Sequence, residues 1–171
     1  MFFKHILWTV LFALCAAMLQ STILQKLSLY NAVPDLILLI IIWTSYHNGN
    51  MSGQVAGFFS GLVLDLLSSA PLGLNAFIYT TVGALAGLLR GTFMLDVLFF
   101  PLLLCAGATA TKAVLVFVLH FLFTDTVPVY SFTKTFFAEL GLNSLLAPLI
   151  FSFLNRFKLL LKKETKSNAT S

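Results

Sequence analysis

Residues 57–76 read GFFSGLVLDLLSSAPLGLNA, and they carry the pattern that decides the fold. In the apolar first half, Gly57, Gly61 and Asp65 recur every four residues, so a helix places them on one narrow face. A turn rich in small residues, with a proline and a glycine, follows at 68–73, and a second apolar run begins after it. Two apolar helices joined by a short turn, with small residues on one face, are typical of helix packing inside a membrane.

The composition of the whole chain also indicates a membrane protein. Of 171 residues, 59% are hydrophobic and 9% are charged, whereas soluble domains have about 25% charged residues. Ten basic and six acidic residues are too few to cover a globular surface in water. The length holds at most about six spans of about 20 residues, which excludes a large soluble catalytic or nucleic-acid-binding domain. Cys15 and Cys105 lie in apolar runs and indicate no redox compartment.

Six apolar runs predict an all-α fold, a polytopic integral membrane bundle of about six transmembrane helices. It forms a single domain at 1–162, followed by a short polar cytoplasmic tail at 163–171. The second run has only about eleven strongly apolar residues, 36–46, so it is expected either to recruit residues 31–34 or to lie partly inside the bundle. If it does not cross, five spans remain. The approximate spans are 5–24, 33–47, 52–68, 74–90, 97–123 and 130–155.

The basic residues predict the orientation. Six spans place both termini on one side, where seven basic residues then lie, against Lys26, or Lys26 and Lys134, outside. Both termini are therefore predicted to be cytoplasmic, and the net charge of +4 is an orientation signal rather than a nucleic-acid footprint. A signal peptide is the alternative for the first run, but Leu14 precedes Cys15 where a lipoprotein signal has a small residue. The seven residues are Lys4, Arg90, Arg156, Lys158, Lys162, Lys163 and Lys166.

Small residues form a stripe on the third helix and another on the fourth. Such stripes let helix backbones approach closely, which is the usual basis of helix association in lipid. Packing against neighbouring helices of the same chain is the favoured interpretation, and an interface kept for another protein is the alternative. The helix-packing or partner-interface residues are Gly53, Gly57 and Gly61 on the third helix, and Gly83 and Gly87 on the fourth.

Three ionisable residues, Asp65, Lys112 and Glu139, lie inside apolar runs. An unpaired charge at the bilayer centre costs at least about 2.5–3.5 kcal/mol, so such residues normally face the bundle interior with a partner. With both termini inside, a rise of about 1.5 Å per residue places all three at a similar depth in the outer half of the membrane. Lys112 is therefore predicted to pair with Asp65, Glu139 or both. A structural network is favoured over a proton or substrate site.

The sequence contains no pattern of an enzyme. A nucleophile elbow, a phosphate-binding glycine loop, HExxH and CxxC are all missing, so no catalytic residue, metal site or cofactor is expected. His5, His47 and His120 lack the spacing of metal ligands, and packing or interfacial roles are favoured for them.

Two segments resemble the rod shape-determining protein family MreD. The first is Pro34-Asp35 followed by the apolar residues 36–39, and the second is 57–76. The length, the six-span layout and the basic tail also look like this family, so the resemblance covers nearly the whole chain. The positions that match the family pattern are Pro34, Asp35, Gly57, Gly61, Asp65, Pro71, Leu72, Gly73 and Ala76.

The resemblance implies a non-enzymatic component of the bacterial inner membrane, in the complex that builds the lateral cell wall. The implied partners are an MreC-like bitopic protein, the MreB filament, the glycosyltransferase RodA, penicillin-binding protein 2 and membrane lipids, with no nucleic acid. The resemblance also implies a fold similar to the substrate-binding subunits of energy-coupling-factor transporters.

That similarity supplies the alternative function, a small-molecule carrier of the vitamin type. Its pocket would open outward among Asp65, Asn75, Lys112 and Glu139. The short predicted outer loops argue against a capped pocket, because a carrier must close over its ligand. The sequence leaves open the partner-binding face, the oligomeric state and whether a ligand is bound.

Overall fold

A computed structural model describes residues 2–22, 24, 32–68, 70–90, 99–123, 127 and 134–161. These residues form six long helices and one short helix, and each long helix lies on one of the six apolar runs. Lys26, Lys162, Lys163, Lys166 and the tail at 163–171 lie outside the described residues. The helices are α1 Phe2–Thr22, α2 Leu36–Asn48, α3 Asn50–Leu67, α4 Leu74–Leu88, α5 Phe99–Leu122, α6 Lys134–Arg156 and α7 Lys158–Leu161.

Three of these helices are long and apolar enough to cross a membrane, namely α1 from Lys4, α5 and α6. Large apolar side chains cover the outside of the bundle; Phe121 on α5 is 82% exposed and Leu145 on α6 is 75% exposed. A surface of this kind is stable against lipid tails and not against water. The protein is therefore a helical membrane protein, and the number of six crossings stays a prediction.

Helix α2 is the centre of the bundle. It packs against α1, α3, α4, α5 and α6, and its side chains from Ile37 to Ser45 are all buried. A helix that is apolar on every side is stable only when it is enclosed. Its 13 residues extend for about 20 Å, against about 30 Å of hydrocarbon. Of the two alternatives for the second run, the structure shows the one in which the helix lies inside the bundle.

Helices α3 and α4 form a hairpin in which the two glycine stripes face each other. A Cβ atom added to Gly57 would lie 2.3 Å from the carbonyl oxygen of Tyr79, and one added to Gly83 would lie 2.4 Å from the carbonyl oxygen of Gly53. The two backbones are thus in direct contact. Both stripes are used inside the chain, and this corrects the alternative that they are kept for another protein. Gly61 and Gly87 meet the opposite backbone in the same way.

Polar contacts close the end of the bundle where α2 meets α3. Gly49 makes this turn with φ +91°, a left-handed conformation that favours glycine. The side-chain amide of Asn48 donates to the carbonyl of Leu161, at 2.7 Å, and His5 Nε2 lies 3.2 Å from Ser52 Oγ. These contacts connect α7 to the end of α2 and α1 to the start of α3.

We expect alanine at Gly57 to destabilise the hairpin, because the added methyl group overlaps backbone atoms that cannot move aside alone. Overpacking of this kind costs about 1–3 kcal/mol, and more when the backbone must shift. Gly107→Ala on α5 is the matched control, because open space surrounds that glycine; alanine in a helix there is neutral or stabilising by up to about 1 kcal/mol. Thermal unfolding in detergent measures both. Equal melting temperatures would contradict the backbone contact.

Candidate functional site

The candidate site is built around the first turn of α2. Asp35 is the N-cap of this helix, and its Oδ1 atom accepts a hydrogen bond of 3.0 Å from the backbone N–H of Leu38. An aspartate preceded by proline suits this position, because it satisfies a backbone donor that has no partner inside the helix. The cap is 1% exposed, so its carboxylate lies inside the bundle rather than in water. A charge buried so deeply needs further partners.

Two side chains from other helices complete the contacts of the carboxylate. Lys112 of α5 lies with its Nζ atom 2.5 Å from Asp35 Oδ2 and 2.8 Å from Glu139 Oε1 on α6. The hydroxyl of Tyr79 on α4 donates to both carboxylate oxygens of Asp35, at 2.9 Å each. One ammonium group thus lies between two carboxylates. If all three groups are ionised, the cluster carries one net negative charge.

A second branch links the same turn to α6 through amide groups. The backbone N–H of Asp35 donates to Asn143 Oδ1 at 2.7 Å, and Asn143 Nδ2 donates to Thr109 Oγ1 at 3.1 Å. Asn143 and Thr109 are both fully buried. We call the whole set the Asp35 network, and it connects α2, α4, α5 and α6. Its members are Asp35, Tyr79, Thr109, Lys112, Glu139 and Asn143.

Helical spacing places the two network residues of α5 on one face of that helix, and likewise the two network residues of α6. Thr109 and Lys112 are three residues apart on α5, and Glu139 and Asn143 are four apart on α6, so each pair lies on one helix face. The sequence interpretation found Lys112 and Glu139 but missed Thr109 and Asn143. The sequence does carry a signal for these two residues, because Thr109 is three positions from Lys112 and Asn143 is four positions from Glu139. Tyr79 also lies on the glycine stripe of α4, where its hydroxyl reaches the start of α2.

Asp65 does not belong to this network, which corrects its predicted pairing with Lys112. Its carboxylate accepts from the backbone N–H groups of Gly73, Asn75 and Ala76, at 2.9, 3.0 and 3.1 Å, and from the Asn75 side chain at 2.9 Å. Asp65 therefore caps the start of α4 from the end of α3. The turn between them returns the chain onto the carboxylate, with Gly73 at φ +94°. An acidic group here is favoured by the free N–H groups and the positive end of the helix dipole.

The residues expected around a carrier pocket fall into two separate groups. Asp65 and Asn75 bind each other at the α3–α4 turn, whereas Lys112 pairs with Glu139 and with Asp35 at the start of α2. Across the described part of the chain, no group of three His, Cys, Asp or Glu residues could hold a metal ion. The polar contacts shown for these four residues are thus made within the protein.

The chemistry of the Asp35 network suits the fixing of helix positions. A buried ion pair gains little net stability because both ions lose water, but removal of one partner leaves a charge without compensation. We expect such a network to disfavour arrangements in which α2, α5 and α6 are out of register.

A polytopic helical membrane protein with a glycine-packed hairpin and a buried ion network is the class that these observations define. The family model of the rod shape-determining protein MreD matches residues 2–157. This match covers nearly the whole chain, so the chain belongs to the MreD family of membrane proteins that determine cell shape. The resemblance of the chain to this family is thereby confirmed. Comparison with curated proteins and with solved structures gave no match.

We expect Lys112→Met to destabilise the protein by about 3–5 kcal/mol, the usual cost when one partner of a buried ion pair is removed. Glu139→Gln in the Lys112→Met background should restore part of this loss, because it removes one of the two uncompensated carboxylates. Thermal unfolding of both variants and of Glu139→Gln alone completes a double-mutant cycle. Lys134→Met, at an exposed position at the start of α6, is the control. Equal stability of Lys112→Met and this control would rule out the pairing.

Replacement of Asp65 tests the cap on α4. Loss of a cap to alanine costs about 0.5–2 kcal/mol, and Asp65→Ala should lie at the upper end of this range or above it, because four donors lose their acceptor. Asp65→Asn keeps one carbonyl oxygen and should lose less. Ser68→Ala, at an exposed position of the same turn, should change the melting temperature little. The same melting temperature for Asp65→Ala and Ser68→Ala would contradict the cap.

Proposed function

We propose that this chain is a non-enzymatic component of the bacterial cell-elongation complex in the inner membrane. Its role is to maintain cell shape and support lateral peptidoglycan synthesis by binding an MreC-like bitopic protein. The match of the MreD family to residues 2–157 carries this proposal. The buried ion network supports it, because a rigid bundle suits a protein that holds other membrane proteins in place. RodA, penicillin-binding protein 2 and the MreB filament belong to the same proposed assembly.

The contact surface for the partner helix is proposed to lie outside the α3–α4 hairpin. The glycine stripes of that hairpin pack against each other, whereas Gly107 on α5 has open space where a Cβ atom would stand. Gly107 lies in a shallow groove between α4 and α5 with a volume of about 190 Å³, together with Leu85, Leu103 and Thr111. A small residue in an apolar groove allows one further transmembrane helix to approach closely.

The proposed topology has six crossings with both termini in the cytoplasm. The alternation of helices and short turns supports six crossings, and the basic residues support the orientation. Helix α2 then crosses as the enclosed centre of the bundle, and the start of α2 lies in the outer half of the membrane. The similarity to the substrate-binding subunits of energy-coupling-factor transporters stays a prediction, as does the carrier function that depends on it.

Affinity purification from a rod-shaped bacterial host that carries this gene in place of its own tests the proposed function. We expect the tagged wild-type chain to retain a bitopic protein with a periplasmic coiled coil and to support rod-shaped cells. Gly107→Leu should keep its melting temperature but lose most of the bitopic partner, at least about tenfold, and give rounded cells. Gly141→Leu on α6 is the matched control, because its glycine is also in open space.

Two results would contradict this proposal. Retention of the bitopic partner by Gly107→Leu at the wild-type level would show that the partner does not bind in the α4–α5 groove. Purification of the wild-type chain with a bound vitamin or a pair of ATPases, and without the bitopic protein, would favour the carrier instead.

A further inference from the structure

A second groove runs along the outside of the bundle between α1 and α3. Its volume is about 540 Å³, and its walls are apolar except at one end, where Lys4 lies. Leu7, Phe59 and Leu66 are 70%, 47% and 69% exposed, so the groove opens outward to the lipid. Val10 and Val63 also line it.

The hydrogen bond between His5 and Ser52 fixes how far this groove extends. It places the start of α1 beside the start of α3, so Lys4 lies at the same level as the first turn of α3. Leu66 is fourteen residues beyond Ser52 on the same helix, which is about 21 Å at a rise of about 1.5 Å per residue. One membrane leaflet contributes about 15 Å of hydrocarbon, half of the core. The groove is therefore long enough for one complete lipid tail.

Charge and side-chain size indicate which molecule fits this groove. Lys4 is exposed and is the one charged residue among the described residues that line the groove. In the proposed topology this end of the groove lies at the cytoplasmic interface. A lysine there matches the phosphate of an anionic lipid whose tail lies along the apolar walls. A transmembrane helix fits less well, because large side chains such as Leu7 and Phe59 keep another backbone at a distance.

We propose that the α1–α3 groove binds one anionic phospholipid of the cytoplasmic leaflet, with its phosphate on Lys4 and one acyl chain along Val10, Phe59 and Val63. This lipid site lies apart from the α4–α5 groove and goes beyond the proposed partner binding. It does not depend on the Asp35 network. A bound lipid of this kind connects two helices that are otherwise joined near their first turns by the His5–Ser52 contact.

Native mass spectrometry of the purified full-length chain tests the site with two probes that carry the same acyl chains, phosphatidylglycerol and phosphatidylcholine. We expect the wild type to retain one phosphatidylglycerol in preference to phosphatidylcholine. Lys4→Gln should reduce this preference about fivefold, because one lysine near an anionic surface contributes about 1 kcal/mol. Lys158→Gln, a basic residue of α7 outside the groove, should leave the preference unchanged.

A second variant tests the apolar part of the groove without changing any charge. Val63→Phe fills the groove, and we expect it to reduce retention of both lipids while the melting temperature of the lipid-free protein stays within a few degrees of wild type. An unchanged lipid preference in Lys4→Gln would overturn the proposal. An equal loss in Lys4→Gln and Lys158→Gln would also overturn it, because it would show general attraction to a basic surface. The affinity purification of the bitopic partner tests the proposed function independently of this lipid site.

Discussion

The bundle depends on one constraint, which is that α2 begins with its N-cap Asp35 buried inside the protein. The first N–H groups of a helix need acceptors, and where the helix start is buried the protein must supply them. Asp35 supplies one, but its own charge then requires compensation, which Lys112 provides. The ammonium group in turn contacts Glu139. Each buried polar group thus requires a polar partner. The resulting contacts connect the start of α2 to α4, α5 and α6.

The α3–α4 hairpin is held together by backbone packing, and few residues are needed for it. Without a hydrophobic driving force between helices in lipid, close contact must come from shape and from weak polar interactions. Gly53, Gly57 and Gly83 bring the two backbones together, and Asp65 fixes the turn at one end of the pair. The hairpin then provides a fixed surface against which the apolar α2 packs. A carboxylate therefore organises each of the two units, and in both cases it caps a helix.

The sequence predicts the helices well and the contacts only in part. Length and hydropathy are local properties, so the six apolar runs match the long helices to within a few residues. Depth in the membrane brings Lys112 and Glu139 together correctly, but it also suggests Asp65, which points toward its own turn. The depth of a residue in the membrane does not show toward which neighbouring helix its side chain points. Proline followed by aspartate at 34–35 is a helix-start signal. The ion pair of Asp35 with Lys112, however, depends on the burial of that helix start, which is a tertiary property.

The distance along the chain between Asp35 and Lys112 has a consequence for how the protein is made. These two residues are 77 positions apart, so the carboxylate leaves the ribosome well before the lysine that compensates it. Glu139 and Asn143 follow later still. During synthesis α2 has its cap but not its counter-ion, and a short segment with an exposed acidic end is a poor candidate for independent insertion. The ion pairs between α2 and α5 and between α5 and α6 can therefore form only after α5 and then α6 have been synthesised.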